Sequence, residues 1–236
     1  MKDVLILPSG VSLLDRLIGG GVSTGLFTHV YGEAASGKST IALQFVSAAC
    51  RIGVSTVYVN TEPASPVERL EQISGKKYAE LKDKIQVLIP NDFGEQAAIF
   101  DDLELFAKEG TKLVVVDTLT RLYRAVLDDR DANYANHREL NRQAGILKGL
   151  AGQKDMAVLV LNQVRSRVNG IVDIEPVAKN ILDYWADYVL RVSLGRTTGE
   201  RVLIRARPEG DPSKCVLYMT ERGLMPEKIS NGNSEM

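Results

Sequence analysis

Residues 32–39 read Gly32-Glu33-Ala34-Ala35-Ser36-Gly37-Lys38-Ser39, directly after a β-rich run and directly before a helical pattern. In that context the spacing Gly-x4-Gly-Lys-Ser predicts a P-loop, whose glycines let main-chain N–H groups turn inward around phosphate groups. The start of the following helix adds the positive end of its dipole. A glycine-rich turn without a ligand would give the lysine no packing role. The stretch therefore predicts a triphosphate site, and we expect ATP with Mg²⁺ as its cofactors.

The predicted nucleotide site extends from the end of the strand into the first turn of the helix. Lys38 is expected to reach the outer phosphates, and the Ser39 hydroxyl is expected to bind Mg²⁺. The other members are expected to surround the phosphates. The predicted site comprises Gly32, Glu33, Ala34, Ala35, Ser36, Gly37, Lys38, Ser39 and Thr40.

An apolar strand that ends in an acid predicts the second part of the magnesium site. It reads Lys112-Leu113-Val114-Val115-Val116-Asp117. An aspartate after such a strand is more often a cap or turn residue, so the pattern alone is weak. With a P-loop in the same sheet, it predicts a Walker B element whose carboxylate holds Mg²⁺, often through bound water. Asp117 therefore joins Ser39 as a predicted metal ligand.

Two further polar residues follow predicted strands and are the candidates for catalysis. Glu62 comes after the strand Thr56–Thr61, where its carboxylate could polarise a water that attacks the γ-phosphate; the alternative is a surface loop carboxylate. Gln163 ends another strand, where its amide could sense the γ-phosphate and pass that state to the next loop, or could simply cap the strand.

Short β-rich runs alternate with helical patterns along most of the chain. This alternation predicts parallel strands joined by crossover helices, and apolar runs such as Ala157–Leu161 predict strands buried on both faces of a sheet. We expect an α/β fold with a mostly parallel central sheet flanked by helices. Short strands that would extend this sheet in antiparallel fashion are predicted at Tyr188–Val192, Arg201–Ala206 and Val216–Met219.

The composition bounds the size and the charge of the protein. The chain has 236 residues, 44% of them hydrophobic, which suits a single α/β domain, expected over residues 1–229. The polar segment 230–236 is expected to be a disordered tail. Since 29 Lys and Arg face 30 Asp and Glu, no global basic field would draw the chain onto nucleic acid. Any DNA site must be a local patch.

The sequence shows neither a membrane-span pattern nor a secretion signal. Its longest apolar runs, such as Met156–Leu161, fall far short of the roughly 20 residues that cross a bilayer. The first eight residues carry an early acid and no small-residue cleavage site. We therefore expect a soluble, cytoplasmic protein with no membrane partner.

Several motifs together resemble the RecA/RadA recombinase family, over roughly Pro8 to Pro226. The resemblance is strongest to the short archaeal paralogues of that family, which are essentially a bare ATPase core, and it implies a RecA-like P-loop NTPase core. Besides the P-loop, the motifs are Tyr58-Val59-Asn60-Thr61-Glu62, Val114-Val115-Val116-Asp117-Thr118, Leu122-Tyr123-Arg124 and Asn162-Gln163-Val164.

The resemblance assigns a role to each candidate residue. Lys38 and Ser39 match the family's phosphate and magnesium ligands, and Asp117 matches its Walker B acid. Glu62 matches the water-activating glutamate, and Gln163 matches the sensor. Glu62 and Gln163 are therefore the expected catalytic residues.

The resemblance also implies two DNA-facing loops, from Arg124 to Arg138 and from Arg165 to Asn180. In the first loop Asp128, Asp129 and Asp131 offset much of the positive charge, so phosphate neutralisation would be modest. The expected DNA contacts are Arg124, Arg130, Arg138, Arg165, Arg167 and Lys179.

Aromatic residues in the first loop suggest single-stranded DNA as the ligand. Tyr134 and His137 could stack on unpaired bases, although aromatic residues in loops more often pack on their own domain. In the second loop Arg165, Arg167 and Lys179 form a cleaner basic patch, which could also be a solvated loop without a partner.

Two departures from the family's pattern bear on assembly. Full recombinases carry a Phe-x-x-Ala segment ahead of the core that docks on the neighbouring subunit, and nothing before Pro8 supplies it. Phe45-Val46-Ser47-Ala48 matches the letters, but it lies inside the helix after the P-loop and is expected to be core. The segment Arg205–Pro212 differs from the acidic Asp-Ser-Pro segment that recombinases place against a neighbour's nucleotide. These departures count against filament formation and vigorous strand exchange.

We therefore expect an ATP-binding and DNA-binding accessory protein of recombination and repair, with weak ATP hydrolysis. Its expected partners are the main recombinase of the RadA type and other recombination proteins. A self-sufficient filament-forming recombinase stays open as an alternative. So does a KaiC-like signalling ATPase without DNA binding, because Leu13–Val22 resembles the opening of that related group. Leu122-Tyr123-Arg124 and the arginine-containing segment after it favour the recombinase branch.

Overall fold

The computed structural model describes residues 4–127, 130–168 and 172–227, with side chains in these ranges except at 130–132, 165–168 and 172–174. The expected disordered tail, residues 230–236, lies outside the described residues. Within the described ranges, no helix has both the length and the apolar character that a membrane span requires.

The elements follow the predicted alternation of strands and helices. The strands are β1 Ile6–Leu7, β2 Val22–Ser23, β3 Phe27–Gly32, β4 Ser55–Asn60, β5 Ile85–Leu88, β6 Thr111–Asp117, β7 Ala157–Val168, β8 Val172–Pro176, β9 Tyr188–Leu194, β10 Glu200–Arg207, β11 Lys214–Thr220 and β12 Gly223–Met225. The helices are α1 Ser12–Leu17, α2 Lys38–Arg51, α3 Val67–Ser74, α4 Tyr78–Leu81, α5 Phe93–Asp101, α6 Leu103–Phe106, α7 Arg121–Ala125, α8 Arg130–Lys154 and α9 Lys179–Trp185.

One large sheet forms the centre of the molecule, in the strand order β12-β11-β10-β9-β3-β7-β6-β4-β5. From β9 to β5 along this order, neighbouring strands are parallel. From β9 to β12 they are antiparallel, and β8 forms an antiparallel pair with the end of β7. The expected α/β fold, with a mostly parallel sheet and a C-terminal antiparallel extension, is confirmed.

Both faces of the parallel strands are covered by apolar side chains. Helix α2 packs on one face through residues such as Ile41 and Phe45, and α8 packs on the other through Leu140 and Leu147. Burial on both faces explains why these strands read as continuous apolar runs rather than as alternating patterns. Phe45 and Ala48 are buried in α2, which confirms that the Phe-x-x-Ala letters there belong to the core.

The strand register brings the candidate residues to one edge of the sheet. Asn60 at the end of β4 is level with Asp117 at the end of β6, and Gly32 at the end of β3 is level with Gln163 in β7. Since parallel strands end at the same edge, the P-loop, the Walker B aspartate and Gln163 lie together at the carboxyl edge. Glu62 follows β4 by two residues and lies at the same edge.

The first expected DNA loop, Arg124 to Arg138, is mostly helical, so that expectation was wrong in its secondary structure. Helix α7 continues to Ala125, and α8 is already formed at Arg130. The helix reaches this far because Leu140, Ala144 and Leu147 are buried at helical spacing against the sheet and helix formation is cooperative.

The second expected loop, Arg165 to Asn180, was also wrong as a loop. Strand β7 runs on to Val168, pairs with β8, and is followed by α9 from Lys179. In Val164-Arg165-Ser166-Arg167-Val168 the period-two spacing assigns both valines to one face of a strand and both arginines to the other, which fits a strand with one polar face.

Candidate nucleotide site

The P-loop joins β3 to α2 through backbone positions that require glycine. Gly37 has a φ angle of +103°, in the left-handed region that other residues adopt with difficulty. At Gly32, a Cβ would lie 2.1 Å from the carbonyl oxygen of Val192 in β9, so a larger residue would not fit. Both glycines of the motif therefore have a local steric cause.

Lys38 begins α2, and its side chain folds back over the loop. Its Nζ donates hydrogen bonds to the carbonyl oxygens of Gly32 at 2.9 Å and Glu33 at 2.7 Å. Burial lowers the pKa of Lys38, while Asp117, Glu62 and Glu33 act in the opposite direction. The ammonium group is thus held in a buried position beside the predicted acids, where a phosphate would add an anionic partner.

Asp117 lies at the end of β6 with only 3% of its surface exposed. The Tyr58 hydroxyl donates a hydrogen bond of 2.7 Å to Asp117 Oδ2. Burial raises the pKa of Asp117 above its usual range, and the hydroxyls of Tyr58 and Ser39 partly offset that shift. The Asp117 carboxylate therefore has two hydrogen-bond acceptor oxygens in a buried site, where water solvates its negative charge poorly.

Asp117 Oδ1 and Ser36 Oγ are buried at this edge and make no hydrogen bond within the described residues. A buried polar atom without a partner costs roughly 1–3 kcal/mol. The water shell of Mg²⁺ could donate to Asp117 Oδ1, and a phosphate oxygen could accept from Ser36. Together with Lys38 and Ser39, the residues present fit ATP and Mg²⁺.

Glu62 accepts hydrogen bonds at one carboxylate oxygen and lies beside a cation at the other. Oε1 accepts a hydrogen bond from Thr118 Oγ1 at 3.2 Å and another from Gln163 Nε2 at 3.2 Å. Oε2 lies 3.9 Å from Nε of Arg121. The structure therefore brings Glu62, Gln163 and Asp117 to one place, since Thr118 directly follows Asp117 in the chain.

Gln163 also connects the site to an exposed arginine. Its Oε1 accepts a hydrogen bond of 3.3 Å from Arg124 Nη1, while its Nε2 donates to Glu62. A single amide thus contacts the candidate general base on one side and an expected DNA contact on the other.

Comparisons with known proteins identify the family. A family model described as Rad51 matches residues 1–227. The chain belongs to the Rad51 family. It is 32% identical to the DNA repair and recombination protein RadB of Methanococcoides burtonii over 95% of this chain and 98% of that protein. It is 31% identical to the RadB protein of Archaeoglobus fulgidus over 94% of this chain and 99% of that protein.

A solved structure supports the same assignment. The crystal structure of the RadB recombinase matches with a TM-score of 0.78 and 32% identity, over 94% of this chain and 100% of that chain. The resemblance to the RecA/RadA recombinases and to their short archaeal paralogues is therefore confirmed.

Three residues near the site of this Rad51-family chain carried no role in the sequence analysis. Tyr58 and Thr118 lie within the motifs that carry the family resemblance. The alternation of side chains along the strand is a signal for Tyr58, and the position directly after Asp117 is a signal for Thr118. Arg121 gave no such signal, because its partner Thr61 is 60 positions away in the sequence. Arg121 Nη1 donates a hydrogen bond to the Thr61 carbonyl oxygen.

A fourth residue without a predicted role is Arg201 of β10, which supports the P-loop from the antiparallel extension. Arg201 Nη2 donates to the carbonyl oxygen of Ala35 at 3.2 Å. Ala35 has a φ angle of +58°, and the Met219 side chain lies against Gly37. The extension of the sheet therefore packs directly on the Rad51-family P-loop.

The expected DNA contacts of the Rad51-family chain are only partly described. Arg124, Arg138 and Lys179 are exposed, and Lys179 pairs with Asp183 at 3.8 Å. Tyr134 is 69% exposed, with the Arg138 guanidinium 6.0 Å from its ring centroid, so it does not pack into the core. The side chains of Arg130, Arg165 and Arg167 lie outside the described residues.

The buried charge of Asp117 leads to a prediction about stability and ligand binding. We expect Asp117→Asn to raise the melting temperature of the ligand-free protein by a few degrees, because a buried carboxylate with a raised pKa destabilises the folded state when ionised. The same change should remove the stabilisation that ATP gives in the presence of Mg²⁺. Thermal melts with ATP, Mg²⁺, both and neither test this, and an undiminished joint effect of ATP and Mg²⁺ would contradict it.

Proposed function

We propose that this chain binds ATP with Mg²⁺ at the P-loop, hydrolyses it slowly, binds single-stranded DNA, and assists a main recombinase of the RadA type. The arrangement around Glu62 and Gln163 is the observation that carries this proposal. It joins an acid suited to water activation with an exposed arginine suited to DNA phosphate, through one amide.

Side chains and main-chain groups at the carboxyl edge of the sheet have the chemistry that a triphosphate and its metal require. Lys38 and the main-chain N–H groups at the start of α2 would contact the phosphates, and Ser39 and Asp117 would hold Mg²⁺. The metal would supply positive charge to offset that of the outer phosphate oxygens. Ser36 Oγ and Asp117 Oδ1, buried and unbonded within the described residues, support this use of the site.

Hydrolysis is assigned to Glu62, which takes the proton of the attacking water. Slow turnover is expected because Oε1 of Glu62 already accepts hydrogen bonds from Thr118 and Gln163. A water therefore has access to the carboxylate mainly at Oε2, which faces the Arg121 guanidinium. Proton transfer to a positioned carboxylate contributes roughly 10²–10⁴-fold to a rate, so incomplete access would leave a weak ATPase.

DNA binding is coupled to this chemistry through Arg124. A phosphate of single-stranded DNA offers Arg124 a stronger, charged acceptor than the amide oxygen of Gln163. When Arg124 turns to the phosphate, Gln163 loses one hydrogen bond and its position relative to Glu62 changes. DNA thereby alters the access of water to Glu62.

An accessory role is preferred to independent filament formation because of the segment Arg205–Pro212. Arg205 donates to the Leu17 carbonyl oxygen, and Arg207 donates to the carbonyl oxygens of Asp183 and Ala186. These guanidinium groups are bonded within their own chain rather than presented to a neighbour's nucleotide. The Rad51 family match favours the recombinase branch over a KaiC-like signalling ATPase.

Strand-exchange assays distinguish the accessory role from a self-sufficient recombinase. With the chain alone we expect little strand exchange, and with a RadA-type recombinase we expect its addition to increase the yield. Efficient exchange by the chain alone would favour the self-sufficient alternative. The absence of any effect on the RadA-type recombinase would contradict the accessory role.

Arg124→Ala provides a test of the coupling. We expect the variant to bind single-stranded DNA more weakly and to lose the change in ATP turnover that DNA causes in the wild-type protein. The matched control is Arg16→Ala, because Arg16 is exposed on α1, outside the phosphate edge. Turnover is measured over a DNA titration, and an unaltered DNA response in Arg124→Ala would remove Arg124 from the coupling.

A further inference from the structure

We propose that Arg121 is a positioning residue that fixes the orientation of the Glu62 carboxylate for ATP hydrolysis. This inference rests on the proposed function of Glu62 and goes beyond it, because it assigns a role to a side chain outside the phosphate and metal ligands. Arg121 opens α7, four residues after Asp117.

Arg121 contacts the Glu62 segment at two points. Its Nη1 donates to the carbonyl oxygen of Thr61, the residue directly before Glu62, and its Nε lies 3.9 Å from Glu62 Oε2. The planar guanidinium thus contacts both the main chain and the side chain of the same turn. A guanidinium suits this task because its donors are fixed in one plane.

The two oxygens of Glu62 face different partners. Thr118 Oγ1 and Gln163 Nε2 both donate to Oε1, whereas Arg121 is beside Oε2. Contacts on opposite oxygens define the rotation of the carboxylate plane about its last side-chain bond. Loss of Arg121 would remove the guanidinium beside Oε2 and leave the carboxylate plane free to turn about the contacts of Oε1.

The main chain around Arg121 is itself held in place. Thr61 Oγ1 donates to the Thr118 carbonyl oxygen at 2.8 Å and accepts from the Thr118 N–H at 2.9 Å. The Thr61 N–H donates to the Asp117 carbonyl oxygen at 2.7 Å. The ends of β4 and β6 are therefore fixed to each other, and Asn60 Nδ2 donates to the Glu62 carbonyl oxygen at 3.1 Å. Arg121 adds a contact to the Thr61 carbonyl oxygen and a contact to the Glu62 side chain.

The effect of Arg121 is orientation rather than stability. Its side chain is 39% exposed and that of Glu62 is 24% exposed, so solvent screens the attraction between the two charges. Ion pairs this exposed contribute at most about 1 kcal/mol to folding. A carboxylate that acts on a water needs a defined direction, and misplacement of a catalytic group by about 1 Å can cost up to ~100-fold in rate.

The experiment is a single-turnover comparison in the full chain, preceded by measurement of ATP affinity. We expect Arg121→Ala to lower the rate of hydrolysis roughly tenfold, as partial loss of alignment predicts, with ATP affinity unchanged. Arg121→Lys should give an intermediate rate, because a lysine can keep the charge but not both contacts. Arg16→Ala is the matched control, and the melting temperature of each variant reports its folding.

A double-mutant cycle with Glu62→Gln shows whether Arg121 acts through Glu62. If it does, Arg121→Ala causes no further loss in the Glu62→Gln background. An equal fold loss in both backgrounds, an unaltered rate in Arg121→Ala and Arg121→Lys, or a loss of ATP affinity would each overturn the positioning role. If the wild-type chain fails to bind ATP, the proposed function fails first, and the role of Arg121 fails with it.

Discussion

Lys38→Ala is expected to weaken ATP binding by at least about 100-fold, because a charge-assisted hydrogen bond to phosphate contributes roughly 1.5–3 kcal/mol and the three donors of an ammonium group can make more than one such bond. The ammonium group is already buried beside the loop, bonded to the carbonyl oxygens of Gly32 and Glu33. Its position therefore requires no rearrangement of the main chain before phosphate binds. Equilibrium titration with a fluorescent ATP analogue measures the effect.

The Lys38 variant needs a control for stability, since it removes the Nζ donor from the buried Gly32 carbonyl oxygen and from the half-buried Glu33 carbonyl oxygen. That loss costs roughly 1–3 kcal/mol and should lower the melting temperature. Lys154→Ala serves as the matched control, because Lys154 pairs with Glu104 at 2.7 Å near the opposite edge of the sheet, just before β7 begins. ATP affinity equal to that of wild type in a folded Lys38→Ala protein would contradict the assignment of the P-loop.

Glu62→Gln is expected to reduce ATP hydrolysis by roughly 100-fold or more while leaving ATP binding intact. The glutamine has nearly the same shape, and its amide oxygen can still accept from Thr118 and Gln163. It cannot take a proton from water, so the chemical step is lost and the site geometry is retained. Single-turnover assays with radiolabelled ATP measure the rate at saturating nucleotide.

Glu68→Gln is the matched control for Glu62→Gln. Glu68 is exposed on α3, only six residues further along the chain, and its substitution removes the same charge. We expect this control to hydrolyse ATP at the wild-type rate. If Glu62→Gln and wild type hydrolysed ATP equally, Glu62 would not be the general base and the role proposed for Arg121 would lose its basis.

The sequence was sufficient for those features that are encoded locally. The spacing from Gly32 to Ser39 specifies its own turn, and the apolar run ending at Asp117 specifies a buried strand, so the sheet and the P-loop could be predicted. The order of residues along parallel strands then brings their ends together at one edge. The sequence alone therefore predicts that Glu62, Asp117 and Gln163 lie in one group.

Contacts between distant segments could not be read from the sequence. Tyr58 and Asp117 are 59 positions apart, and Arg121 and Thr61 are 60 apart, so no local pattern reports their hydrogen bonds. The extent of α8 was missed for a related reason. Its start at Arg130 depends on the burial of residues ten or more positions later, which stabilises the whole helix against the sheet.

We propose that one edge of the sheet couples ATP binding to the binding of single-stranded DNA. The most direct measurement is the fluorescence anisotropy of a labelled single-stranded oligonucleotide, titrated with wild-type protein and with Lys38→Ala, in the presence and absence of ATP and Mg²⁺. We expect ATP with Mg²⁺ to change the DNA affinity of the wild-type protein and to leave that of Lys38→Ala unaltered. DNA affinity that is independent of nucleotide in wild type, or no DNA binding at all, would contradict it.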